Sequence, residues 1–104
     1  MTARQFVAAW KREKRNLLKE FASPASSTLV AAKIRDLNLT GVQRKQVVAV
    51  IDAALTDTFY TLLLGLDGSA SIGGIQQSYK IYGEDGKLIS DCGEIEAEAA
   101  EAFQ

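Results

Sequence analysis

From Ala3 onward the apolar residues Phe6, Val7, Trp10, Leu17, Leu18 and Phe21 recur at three- and four-residue steps, which is the period of an amphipathic helix. Thr2 followed by Gln5 is a capping-box pair, so the spacing predicts a helix over 3–22. At about 100° per residue these apolar positions share one arc with Ala3, while Arg4, Lys11, Arg12, Arg15 and Lys19 share another. Lys14 falls inside the apolar arc, where its methylene stem is expected to cover hydrophobic surface while the ammonium reaches water. Pro24 within a Ser- and Ala-rich run ends the helix. A short second helix is expected over 27–37, with Val30, Ile34 and Leu37 aligned.

A second capping-box pair, Thr40 and Gln43, opens a long third helix through Val47, Val50, Ile51, Ala54, Leu55, Phe59 and Leu62 to about Gly65. Apolar positions cover more than one stripe of it, so the pattern predicts a central helix contacted from two sides. The period then changes. Residues 65–74 hold four of the eight glycines and read as a loop, and residues 75–82 alternate with period two, as a half-buried strand does. Gly83 to Gly86 reads as a hairpin turn, Lys87 to Asp91 as the return strand, and Glu94 to Phe103 as a short acidic helix. The expected fold is a single α+β domain over 1–104: a three-helix core carrying a C-terminal β-hairpin and a short terminal helix.

Composition narrows the chemistry. In 104 residues there is no His and one Cys, Cys92, so an intrachain disulfide, a thiolate zinc site and a His-based nucleophilic site are excluded. Cys92 reads as a small, partly buried thiol in a reducing compartment. Neither a secretory apolar region nor an uninterrupted apolar run near the roughly 20 residues of a bilayer span is visible, so no membrane association and a cytoplasmic location are expected. Charge is segregated: residues 1–45 carry ten basic and three acidic side chains, and residues 46–104 carry two basic and ten acidic. The two halves either neutralise each other within the fold or serve separate partners.

Four features invite a functional interpretation. The glycine-rich run 65–74 offers backbone amides, with Asp67, Gly68, Ser69 and Ser71 as candidate binding residues for a small ligand. It is no phosphate loop, because no Gly-Lys-Ser/Thr closes it and Asp67 would repel an anion. Asp57 is a candidate binding carboxylate among apolar neighbours, but Asp52 lies five residues away and points about 140° from it, so no metal site is formed. Lys11, Arg15 and Lys19 form a basic face that could receive an acidic partner or nucleic acid, with the acidic half opposing the latter. The predicted hairpin would leave a strand edge on which a homodimer could form.

The stretch from Leu55 through Thr56, Asp57, Thr58, Phe59, Tyr60 and Thr61 to the Leu-Leu-Leu-Gly-Leu-Asp-Gly-Ser-Ala-Ser-Ile-Gly-Gly run ending at Gly74, followed by Tyr79 to Gly86, resembles a family of short, functionally uncharacterised bacterial proteins. The resemblance spans the C-terminal half and implies a bacterial cytosolic origin, without implying any site residue. The expected function is a non-enzymatic, cofactor-free domain that binds a protein partner, as an adaptor or immunity-type protein does. The alternatives are a nucleic-acid accessory protein using the basic face of the first helix, or a small-ligand binder at the glycine-rich loop.

Overall fold

The computed structural model describes every residue except Cys92, so the sequence expectation for that thiol lies outside the described residues. Four helices appear in chain order: α1 (Ala3–Ala22), α2 (Leu29–Asp36), α3 (Gly41–Leu66) and α4 (Glu94–Phe103). Each of the first three begins on a threonine cap. Thr2 Oγ1 accepts the Gln5 amide at 3.1 Å while Gln5 Oε1 accepts the Thr2 amide at 2.9 Å, and Thr40 with Gln43 repeats this exchange at 3.2 and 3.0 Å. Thr28 Oγ1 accepts the Ala31 amide at 3.2 Å. α2 closes through Asn38, which takes the left-handed conformation at φ 51° that asparagine tolerates better than most residues.

α1 and α3 lie side by side and antiparallel, as three cross-contacts in opposite chain order show. Trp10 meets Phe59 edge-on with ring centroids 5.3 Å apart, Lys14 Nζ lies 2.7 Å from Asp52 Oδ1, and the Arg44 guanidinium donates to the Ala22 carbonyl. The Lys14 ammonium thus meets a carboxylate on α3 rather than water, and its side chain is 19% exposed. The connection between α1 and α2 is tied down by Arg35, which donates to the carbonyls of Pro24 at 3.1 Å and Ser26 at 2.8 Å.

α4 packs across α1 and α3 at one end of this pair. There the core forms: Ala3 and Val7 from α1, Leu63 from α3, Ile95, Ala99 and Phe103 from α4, and Ile89 from the preceding segment. Phe59 stands between Trp10 and Phe103, edge-on to both, with the Phe103 centroid 6.3 Å away. At the opposite end, α2 contacts α1 and buries Ala31 and Ile34, whereas Leu29 and Leu37 remain exposed. The molecule is consequently long, measuring 47 × 29 × 22 Å, with a radius of gyration of 16.2 Å. A compact domain of this chain length has a radius near 13 Å.

The expected α+β architecture is corrected: among the described residues the protein is all-helical outside irregular connections, with isolated antiparallel bridges at Ile72–Ile75 and Tyr82–Leu88 and no strand. The predicted turn does form, since the Gly86 amide donates to the Gly83 carbonyl at 2.9 Å and Gly86 adopts φ 80°. What fails is the ladder beyond it. The Ile89 amide reaches the Ile81 carbonyl at 2.7 Å, but the Ile81 amide donates to Ser90 Oγ, whose hydroxyl donates in turn to the Tyr79 carbonyl at 2.8 Å. A side-chain hydroxyl occupies the place of the next backbone rung, which is how serine competes with regular structure. The segment serves instead to insert Ile89, 3% exposed, into the core. With no strand pair, the expected dimer through a hairpin edge has no structural basis.

Candidate interaction surface

The glycine-rich run acts as a clasp on α4. That helix starts at Gly93, which adopts φ 77° and has no side chain with which to cap. Its cap comes from elsewhere in the chain: Asp67 Oδ2 accepts the amide of Glu96, the third residue of the helix, at 2.8 Å. A carboxylate here satisfies an otherwise unpaired donor and complements the positive end of the helix dipole. Ser69 Oγ donates to Glu96 Oε2 at 2.6 Å, and Gln76 Nε2 donates to the Gly68 carbonyl at 3.1 Å. Gly68 sits at φ 83°, and a Cβ added there would lie 2.8 Å from Ser78 Oγ.

Asp67, Gly68 and Ser69 are therefore brought together, but onto the fold's own last helix. Ser71 is exposed. We expect Asp67→Ala to lower stability by about 0.5–2 kcal/mol, the usual worth of an N-cap, with Asp67→Asn recovering part of it through its amide oxygen. Thermal unfolding of the three proteins measures this, and an unchanged midpoint in the alanine variant would show that the contact contributes nothing.

The remaining candidates do not converge on that clasp. Asp57 is exposed on α3, ten residues and so about 15 Å of helix from Asp67, and lines a shallow groove with Thr58, Thr61 and Leu62. Lys11 is half-buried beside Arg4, facing Glu98 and Glu101 of α4 across a small depression, so part of the basic arc confronts the acidic helix. Arg15 and Lys19 lie farther along α1 and are exposed. No group of three or more His, Cys, Asp or Glu side chains able to hold a metal occurs among the described residues.

A feature that the sequence pattern did not reveal is the state of α3. As expected, α3 is contacted on two sides, by α1 and by α4, yet this 26-residue helix buries only Leu63 and Gly65. Val42 and Val50 are 70% and 68% exposed. On a helical wheel α1 occupies the side of Asp52 and Phe59, which meet Lys14 and Trp10, and Leu63 and Tyr60 lie on the neighbouring side in the core shared with α4. Val47, Val50, Ile51, Ala54, Thr58 and Leu62 share an arc of about 120° flanking the α1 contact on the side away from α4. Two open grooves follow this arc, one of about 390 Å³ lined by Leu39, Gln43, Gln46, Val47, Val50 and Ile51, the other of about 300 Å³ at Asp57 to Leu62.

The expectation that no segment could span a bilayer is also revised. By length and composition α3 is sufficient to cross one, because Asp52 and Asp57 interrupt its apolar runs without making it polar. Asp52 pairs with Lys14, and a charge held at a bilayer centre costs about 2.5–3.5 kcal/mol on insertion scales. In comparison with known proteins, the chain matches no family model, no curated protein and no solved structure.

Proposed function

We propose that this chain is a non-enzymatic protein-binding domain, an adaptor or immunity-type protein of a bacterial cytosol, whose contact surface is the open apolar arc of α3. The observation that carries this reading is the burial pattern of α3, an apolar helix with just two buried residues. Apolar surface left in contact with water costs about 25 cal/mol per Å², and a continuous patch of it on a folded protein marks a binding site more often than a tolerated defect. Charged side chains border it: Asp57 on one flank and, across α1, Glu13 and Glu20, all exposed. An apolar centre with a charged rim suits a protein partner better than the interior of a lipid layer. The cytosolic assignment is part of the same proposal.

The test is affinity capture with the wild type, with Val50→Glu, and with the exposed Arg15 and Lys19 reversed to Glu. Val50 is largely exposed, so its replacement leaves the fold intact while placing a charge on the arc. We expect Val50→Glu to reduce partner capture at least tenfold and the basic reversal to leave it unchanged. Capture that survives Val50→Glu but is lost on the basic reversal would move the binding surface to α1 and overturn the assignment.

A further inference from the structure

We propose that the partner seated on the α3 arc is a second copy of this chain, the two α1–α3 layers packing face to face as an antiparallel, two-fold four-helix bundle. This rests on the protein-binding reading above and names its partner. The first support is architectural. Two antiparallel helices make one layer of a bundle, and α4, ten residues long, covers one face of that layer at one end only. The excess radius of gyration measures the same deficiency, and a duplicate of the layer supplies what is missing.

The second support is the seam. Val47, Ile51, Ala54, Thr58 and Leu62 follow one another at four- and three-residue steps, the spacing with which helices pack along their length. Its N-terminal part is large, with Val50 beside Val47 and Ile51, and its middle is small, at Ala54, Thr58 and Thr61. A two-fold axis through Ala54 brings Val50 and Val47 of one copy to the level of Thr58 and Thr61 of the other. Facing large against small side chains fills space, whereas a parallel pairing would set large against large. A two-fold interface must be complementary to itself, and this seam is.

The third support is area. α3, of 26 residues, is about 39 Å long and α1, of 20, about 30 Å, so a layer about 18 Å wide offers about 600 Å² from each copy, with Glu13 and Glu20 of α1 at its margin. A stable interface of standard size takes about 800 Å² from each partner.

Sedimentation velocity over a concentration series tests the proposal, with helical circular dichroism confirming that each variant is folded. The wild type should approach twice its 11.3 kDa mass. Ala54 is exposed, and on the axis it meets its own copy, so Ala54→Glu should weaken self-association at least tenfold by opposing like charges. Ala54→Lys should do the same, and an equimolar mixture of the two variants should restore the dimer. A wild type that stays monomeric at its highest soluble concentration overturns the inference. So does a dimer indifferent to both variants, which would be held elsewhere, or a monomer that co-sediments with phosphatidylcholine vesicles, which would assign the arc to lipid. If the monomer still captures another protein through Val50, the inference alone fails; if it captures nothing, the protein-binding reading fails with it.

Discussion

Replacing Leu63 with Ala is expected to lower the unfolding free energy by about 2–5 kcal/mol, the range for truncating a buried leucine whose surroundings cannot collapse onto the cavity. Leu63 is wholly inaccessible to solvent and belongs to the core cluster that α1, α3 and α4 build together. The core around it is small, built from alanines and a few large side chains, and it sits at one end of an elongated molecule. Domains are stable by about 5–15 kcal/mol, so this substitution removes a large share. Urea unfolding followed by helical circular dichroism measures it, with Val50→Ala as the comparison. Val50 is exposed, and its truncation should shift stability by no more than about 0.5 kcal/mol. Two variants of equal cost would mean that the junction of α1, α3 and α4 is not where the fold is secured. In a dimer the Val50 comparison is made below the association concentration, where the monomer's own stability is read.

Gly65→Ala is expected to destabilise the protein although it exchanges glycine for the best helix former inside a helix. On propensity alone the change should stabilise by about 1 kcal/mol. Gly65 is buried, however, and a Cβ there would overlap Ile72 Cγ1 and lie 2.8 Å from Ile72 Cδ1. Cγ1 is close to the backbone and cannot swing clear as the tip of a long side chain can. Either Ile72 leaves its rotamer or the loop moves, and overpacking of this kind costs about 1–3 kcal/mol. Loop movement would also strain the Asp67 and Ser69 contacts to Glu96, since both lie between Gly65 and Ile72. The discriminating measurement is a double-mutant cycle with Ile72→Ala. In that background the obstructing atoms are gone, so Gly65→Ala should become neutral or stabilising. Additive effects of the two changes would show that the glycine is present for some reason other than close approach of the loop.

Local order was written in the sequence. The capping pairs Thr2–Gln5 and Thr40–Gln43, the helix-ending Pro24 and the apolar periodicity determine α1 at 3–22, the start of α3 and the acidic helix at 94–103, because caps and periodicity act over three or four residues. The turn at Gly83 to Gly86 is local chemistry of the same kind. Alternation over 75–82 predicted a half-buried strand; Ile75 is instead 61% exposed, and whether such a segment pairs depends on which acceptor its amides meet. Ser90 Oγ took the place of a rung, a competition between side chain and backbone that period-two counting does not register.

Tertiary structure alone decided the rest. The glycine-rich loop carried residues suited to binding a ligand, and only its placement against Gly93, which lacks a capping side chain, turned Asp67 and Ser69 toward Glu96 across nearly thirty positions of chain. Lys14 found Asp52 only because α1 and α3 run antiparallel in the observed register. The openness of α3 came with the observed lengths and docking: the eight residues of α2 and ten of α4 make helices of about 12 and 15 Å, too short to enclose one of about 39 Å on two sides. Apolar residues around a helix state that something must cover it. Which face stays open depends on where the short helices dock, and that is set by the packing of side chains far apart in the chain around Leu63, Ile95 and Phe103.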